Sequence, residues 1–366
     1  MEILPKTLGT RPRLAVEVRA EGLLAARAED AVALLTAVAR ADVAEGAIVP
    51  GLKAGNIVDK TAVTAAMRRA LDAVAGSGRD RLRDVTIVVP DSAVRVLFVD
   101  FDQLPSKTAE ALPVVRFRLK KLLPFDSDDA MVSYQVMSSE KDSVKLLAVA
   151  MPKAVLEEYE SLVLSAGYLP GAVLPSTLAA LAGIDESAAP VLVVNAGTGS
   201  VTTAIVQGDR LLLHRSVDMS ADISGASAPV SVVPLVDREN TAQEWAQQEA
   251  LGPGGWDRFE AEAAMQTSVV ETALVRERGS RATAREVAQA VSVAAAYFED
   301  SLQRSPDQLL VAGSLGAESL AAMMEESGVE GLRVREMMDA SMMEAGAVTA
   351  SVPRNWLAGV RGALRN

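Results

Sequence analysis

The sequence predicts an α/β fold built from two similar halves, and three observations carry that prediction. "RLAVEVRAEGLLAARA", from Arg13, and "VLVVNAGTGSVTTAIV", from Val191, each read as two apolar strands around a tight turn. Each opens a stretch in which strand and helix periodicities alternate, so the second half restarts the pattern of the first. At 366 residues the chain has room for two domains of ordinary size, and its 49% hydrophobic content fits a packed interior. Aromatic residues make up only 4%, so Val, Leu, Ala and Met must fill the cores.

In the first half, "DKTAVTAAMRRALDAV" predicts a helix with Asp59 or Thr61 as its N-cap. "RDVTIVVPDSAVRVLFVDF" predicts a buried strand, a turn at Pro90–Asp91 and a second strand. A helix is expected from Ser106, as N-cap, to Pro124, which ends it, with Pro113 inside as a point of kinking. "AMVSYQVM" and "SVKLLAVAMP" predict two further strands, and Lys153 to about Ala166 a helix. Residues from about Val94 to Ala150 thus read as strand, helix, strand, strand, set within a larger α/β unit.

The second half opens at Val191 and changes character after Ser220. Residues 220–283, rich in Ser, Ala and Pro and broken by "GPGG", read as a mobile insertion with Trp245 and Trp256 as its large anchors. "TAREVAQAVSVAAAYFEDSL" predicts a firm helix, "DQLLVAGSLGAESLAAMMEESG" a strand, a glycine turn and a helix, and "RNWLAGVRGALR" a closing helix. The pairs Met323–Met324, Met337–Met338 and Met342–Met343 read as core filling.

Several classes of function are excluded by composition. A net charge of −12 argues against nucleic acid as the main partner. With no cysteine there is no thiolate nucleophile, no disulfide and little basis for structural zinc, which fits the cytoplasm. His214 is the single histidine and reads as a strand-end residue in "DRLLLHRS", with no elbow-type serine motif to accompany it. No apolar run approaches the roughly 18 residues that cross a bilayer, so a membrane role is expected to come through a partner.

The turn after Val194 has the chemistry of an anion cradle. Gly197 and Gly199 let backbone N–H groups approach closely, and Thr198 and Ser200 add hydroxyl donors. Asn195, however, stands where a nucleotide-hydrolysing hairpin would carry a carboxylate for magnesium.

In order along the chain, "GAIVPGLKAGNIVD", "TIVVPDSAVRVLFVDFDQLP", "KKLLPF", "SYQV" and "LLAVAMPKAVLEEYESLVLSAGYLPGAV" resemble the PilM family. These are the cytoplasmic, actin-like proteins of type IV pilus assembly. The resemblance runs from about Leu14 to Ile205 and resumes from Ala284 to the "LAGVRGALR" end. It implies an actin-like fold of the FtsA/PilM type: duplicated RNase H-like halves with an inserted strand-helix-strand-strand subdomain. The expected division is 1–93 with 151–190 as the first half, 94–150 as the insertion, and 191–366 as the second half carrying the insertion at about 220–283.

The same resemblance locates the nucleotide stations of the family and shows what has become of them. In the first phosphate turn the family has Asp, apolar, Gly, three small hydroxyl residues, apolar and Lys. Here Glu17, Val18, Arg19, Ala20, Glu21, Gly22, Leu23 and Leu24 align, so the glycine, hydroxyls and lysine are lost. The second turn keeps Gly197 but has Asn195 for its aspartate, and the adenosine turn keeps Gly313 and Gly316 with Ser314 between. Gly197, Thr198, Gly199, Ser200 and Gly313 are therefore expected to be a vestigial site. No catalysis, metal or cofactor is expected, although ATP with magnesium is what an intact site would hold.

By the same resemblance the expected function is a non-catalytic scaffold, peripheral at the inner membrane. It would hold the N-terminal cytoplasmic tail of a PilN-type membrane protein, alongside other pilus components and as a possible homo-oligomeric ring. Leu104, Pro105, Pro124 and Phe125, at the two ends of the insertion helix, are the candidate partner-binding residues. Phe125 has two readings, a plug at the base of the insertion or a direct peptide contact. Arg116, Arg118, Lys120 and Lys121 read either as a solvated helix face or as a surface for anionic lipid or an acidic partner. The alternatives are an active actin-like ATPase and the cytoplasmic part of a GspL-like type II secretion component, which would continue into a transmembrane helix.

Overall fold

The computed structural model describes residues 11–76, 82–185, 189–208, 210–219, 284–306, 308–326, 332–347 and 352–365. Residues up to Met219 and from Val287 onward make one compact unit. The expected insertion at 220–283, with Trp245 and Trp256, lies outside the described residues.

The first half runs β1 (Leu14–Arg19), β2 (Gly22–Ala28), β3 (Leu35–Asp42), α1 (Lys60–Val74) and β4 (Asp84–Val89). An inserted segment follows, with β5 (Arg95–Phe101), α2 (Thr108–Leu119), β6 (Ala130–Glu140) and β7 (Ser143–Pro152). The half resumes with α3 (Lys153–Ala166), β8 (Leu169–Pro175) and α4 (Ser176–Ala182). The second half runs β9 (Val191–Ala196), β10 (Ser200–Gln207), β11 (Arg210–Asp218), α5 (residues 284–302) and β12 (Gln308–Gly313). It closes with α6 (Ala317–Glu326), β13 (Arg333–Glu336) and α7 (Ala358–Leu364).

Two five-stranded sheets share one topology. Their strand orders are β3-β2-β1-β4-β8 and β11-β10-β9-β12-β13. In each, the first three strands form an antiparallel meander and the last two add in parallel beside the opening strand. The inserted strands form a separate sheet, β5-β7-β6, antiparallel throughout. The duplicated α/β architecture with a strand-helix-strand-strand insertion, expected from the sequence, is the fold observed.

Burial explains the near-continuous apolar strands. Leu14, Val16 and Val18 of β1 pack towards α1 and α3, while Ala15 joins Leu24 and Ala26 of β2 in a second cluster with α4 and α7. A sheet covered on both faces needs no polar alternation. α1 turns Val63, Ala66, Met67, Ala70, Leu71 and Val74 inward, and Asp59 caps it by accepting from Ala62 N at 2.9 Å. α7 is buried along its whole length between the halves. Gly359 and Gly362 permit this: a Cβ on the first would meet the Glu17 carboxylate, and on the second the Ala179 carbonyl. Met324, Met337 and Met338 are buried and Met342 and Met343 pack against the core, so these methionines are core filling.

Two expected details change. The insertion helix begins at Thr108, with Lys107 and not Ser106 at the cap, because the N–H groups of Glu110 and Ala111 both go to Lys107 O. The regular helix ends at Leu119, and hydrogen-bonded turns carry the chain on to Leu123, just before Pro124. β3, β8, α4 and β13 were not anticipated. β3 ("LTAVARAD") is buried at every third residue and lacks strict alternation, α4 has only seven residues, and β13 ("RVRE") is a charged edge.

Candidate functional site

A small cavity lies where the two opening hairpins meet. It is lined by Glu17–Glu21 of the first turn, Asp91 and Ser92 after β4, Ser176 at the start of α4, and Asn195, Gly197–Ser200 and Gly313 of the second half. All five residues expected from the vestigial site, Gly197, Thr198, Gly199, Ser200 and Gly313, are brought together here. The second turn keeps its shape through internal bonds: Gly197 N donates to Ser200 O at 3.0 Å, and Ser314 N to Ala196 O at 2.8 Å. Gly313 has φ +94, and a Cβ there would collide with the Ala196 carbonyl. That position admits only glycine without strain.

Charge fills the first turn. Glu17 is 1% exposed and pairs with Arg19 at 2.9 Å, and Arg19 also donates to Trp356 O at 3.1 Å. The Arg19 guanidinium lies 4.9 Å from the Trp356 ring centroid, and Arg40 lies 4.1 Å from it. Burial pushes the Glu17 carboxyl up, while Arg19 and the Ser176 hydroxyl pull it back down.

From Glu17 a buried polar network crosses to the second half. Ser176 Oγ donates to Glu17 Oε1 at 2.8 Å, and Asn195 Nδ2 donates to Ser176 Oγ at 3.0 Å and Thr177 Oγ1 at 2.9 Å. Asp91, 6% exposed, accepts from Thr177 N at 3.1 Å, from the Thr177 hydroxyl, and from Thr202 Oγ1 at 3.0 Å. Asn195 thus supplies a donor that ties both halves together. Beside a second carboxylate such a donor is the favourable choice.

Asp91, Ser176, Thr177, Thr202 and Trp356 were not picked out from the sequence. A signal existed: "VVPDS" and "VLPST" each close a parallel strand with proline followed by polar residues. The carboxyl ends of parallel strands are where such folds gather ligands.

A nucleoside triphosphate with magnesium does not fit this set. The cavity is about 60 Å³, room for a few waters against the several hundred Å³ of a typical cofactor site. Gly197 N–H is already bonded, Asp91 is held by three donors, and Glu21 adds a further carboxylate to the lining. Among the described residues no cluster of three acidic or histidine side chains is arranged to hold a metal ion.

A second cavity, of about 210 Å³, lies between β5 and β11, lined by Val94–Leu97, His214–Ser216 and Asp91. Both strands are sheet edges, and Arg95 joins them by pairing with Asp218 at 2.8 Å. His214 is not a strand-end residue as expected. It sits in mid-strand opposite Ala204, 9% exposed, because its neighbours Leu211–Leu213 carry the strand into the core. Neither ring nitrogen has a hydrogen-bond partner among the described residues, and burial pushes the imidazole pKa down.

Leu104 and Phe125 pack against the insertion's own core with Val115, Leu119 and Leu146, while Pro105 is half-buried and Pro124 exposed. Of the cationic cluster, Arg116 donates inward to Ser127 O at 2.7 Å and Ala130 O at 2.9 Å, and Lys120 pairs with Asp128 at 3.4 Å.

No family model matches the chain, and no curated protein does. A solved PilM–PilN type IV pilus biogenesis complex is similar over 98% of this chain and 97% of that one, with a TM-score of 0.66 at 16% identity. The chain has the actin-like fold. It resembles PilM along nearly its whole length. The ethanolamine utilization protein EutJ of Carboxydothermus hydrogenoformans covers 98% of this chain and 91% of its own, at 10% identity and a TM-score of 0.43. The cytoplasmic domain of EpsL, an inner-membrane component of the Vibrio cholerae type II secretion system, covers 56% of this chain and 71% of its own, at 14% identity and 0.37. Similarity as low as these last two carries no structural argument. No helix among the described residues of this actin-like chain is long and apolar enough to cross a membrane.

Proposed function

We propose that this protein is a PilM-like, non-catalytic scaffold of type IV pilus assembly, holding the N-terminal cytoplasmic tail of a PilN-type inner-membrane protein. The full-length similarity to PilM, taken from its complex with PilN, is the observation that carries this reading. The polar network supports its non-catalytic part, because the Glu17–Arg19 pair and Asn195 occupy the stations where phosphate and metal would have to bind. A protein that keeps the two-halved frame without room for the nucleotide has its surfaces left to work with.

In this reading the tail lies as an extended segment along β5. Edge strands offer unpaired main-chain groups, and Val96, Leu97 and Phe98 of β5 are half-buried apolar anchors. Leu104 and Pro105 follow the end of β5, and Pro124 and Phe125 follow the turn after the insertion helix, so in this reading these four residues shape one end of the docking surface. Tail recognition is then mainly apolar and main-chain, with little dependence on salt.

The test is a titration of the tail peptide against the wild type, Leu97→Glu and Phe125→Ala at low and high salt. Binding that falls about tenfold or more in Leu97→Glu and changes little with salt is expected. Absence of binding to the wild type, or affinity that collapses with salt, overturns the placement. Calorimetry with ATP and magnesium is expected to be flat; a magnesium-dependent micromolar site would favour the ATPase alternative.

A further inference from the structure

We propose that the outward face of α2 and the turn after it docks on the anionic headgroups of a lipid surface. The proposal stands on side chains that the tail-binding reading does not use. Val114, Phe117, Arg118, Lys121 and Leu122 fall at i, i+3, i+4, i+7 and i+8, a single helical stripe. The stripe continues past Leu119 because Leu122 N and Leu123 N both donate to Leu119 O, at 2.9 and 3.0 Å. The adjoining face, Ala111, Val115 and Leu119, is already buried in the insertion core. Apolar side chains thus extend beyond the buried face onto the exposed one, where they have nothing among the described residues to pack on.

Phe117 is 74% exposed and Leu122 51%, the first being the most exposed large apolar side chain among the described residues. Such a pair of large apolar side chains on a helix surface calls for a cover. The cations between them specify which cover. Arg116 and Lys120 are engaged within the insertion, whereas Arg118 and Lys121 make no ion pair among the described residues. Glu110 and Asp128, acidic groups on either side of the stripe, are taken by Lys107 and Lys120. Three apolar side chains interleaved with two free cations is the composition of an interfacial anchor. The rings and methyls enter the headgroup boundary while the long basic stems reach back to phosphate.

Charge also argues against other occupants. On a chain of net charge −12, most of the surface is repelled by an anionic bilayer, so attraction confined to this stripe would orient the molecule. A second copy docking through the same face about a two-fold axis would set Arg118 and Lys121 against their own counterparts.

The experiment is co-sedimentation of the full chain with vesicles of phosphatidylglycerol and phosphatidylcholine, against vesicles of phosphatidylcholine alone, at low and high salt. The variants are Phe117→Ser with Leu122→Ser, and Arg118→Glu with Lys121→Glu. The expected result is binding to the anionic vesicles only, weakened by salt, and reduced in each double variant by about tenfold or more. Each lost cation accounts for roughly a fivefold change. Thermal unfolding of both variants should match the wild type, since the altered side chains are exposed. Binding of the tail peptide to the same variants should be unchanged, which separates failure here from failure of the scaffold reading. No binding to anionic vesicles, equal binding to neutral ones, or variants that bind as well as the wild type would overturn the proposal. So would a concentration-dependent dimer abolished by Phe117→Ser with Leu122→Ser, which would assign the stripe to a second copy.

Discussion

The two opening hairpins occupy equivalent places in equivalent sheets, yet they close the cleft by different chemistry. In the β1–β2 hairpin a buried carboxylate and guanidinium, Glu17 and Arg19, neutralise one another beside Trp356. In the β9–β10 hairpin the neutral amide of Asn195 donates to the hydroxyls of Ser176 and Thr177, which in turn donate to Glu17 and Asp91 respectively. A frame that could leave both turns open to an anion instead has each satisfied from within. The difference is in fragility. An ion pair taken out of water is tolerable only while both partners are present, whereas a network of hydroxyls and an amide loses one bond at a time.

The largest effect expected from this contrast is at the first hairpin. Glu17→Ala leaves Arg19 buried without its counter-ion and should cost about 3–5 kcal/mol, read by denaturant unfolding. Replacing both residues by apolar ones of similar volume should cost far less than either single change. If the single and double variants lost equal stability, the pair would not be the ionic lock described here.

Asn195→Asp is next. It sets a second carboxylate about 3.5 Å from Asp91 Oδ2, where the amide nitrogen now lies. At an effective dielectric of about 20 the repulsion is roughly 4–5 kcal/mol before one group takes up a proton. A measured loss of about 2–4 kcal/mol, shrinking as pH falls, is expected. A variant as stable as the wild type at neutral pH would mean that the network tolerates charge and that the two hairpins are chemically alike.

A smaller effect lies at His214, below the second hairpin. Its imidazole is held neutral by burial, so its folded pKa lies under the ordinary 6.5. The unfolded chain takes up the proton first. Stability contributed here is thus complete above pH 6.5 and is lost as pH falls through the lowered value. The loss is at most about 2 kcal/mol at pH 5. His214→Phe should flatten this part of the stability–pH curve, and an unchanged curve would show that the ring is not the group responsible.

The smallest expected change is Arg95→Ala. The pair with Asp218 joins the insertion's edge strand to that of the second half, but both side chains are partly solvated. About 0–1 kcal/mol is expected, disappearing at high salt. A larger, salt-independent loss would show that the two edges depend on one another for folding.

Much of this was legible in the chain itself, and the reason is locality. Strand and helix periodicities report burial over a few residues, so the paired hairpins at Leu14 and Val191 and the order β5, α2, β6, β7 could be read directly. The expectation that Arg19 and Leu24 depart from a PilM-type phosphate turn came from the resemblance and not from periodicity. β3 escaped because its inward positions do not alternate. His214 was misplaced because an apolar run shows that a strand is buried but not where along it the core lies.

What the sequence by itself determined, then, is the duplicated frame and its insertion, together with the residues of the two opening turns. Only the tertiary structure decided which polar groups meet between the two opening hairpins. The bonds among Glu17, Asp91, Ser176, Thr177, Asn195 and Thr202 include contacts between residues 86 to 159 positions apart. No periodicity spans such distances. Parallel strands deliver their polar carboxyl ends to one place regardless of sequence separation, so Pro90-Asp91 and Pro175-Ser176 meet Asn195 only when both sheets have formed. The same holds outside the cleft. The cations of α2 and the turn after it are a line of like residues in the sequence, and folding alone sorts them into Arg116 and Lys120, which are engaged, and Arg118 and Lys121, which make no ion pair among the described residues.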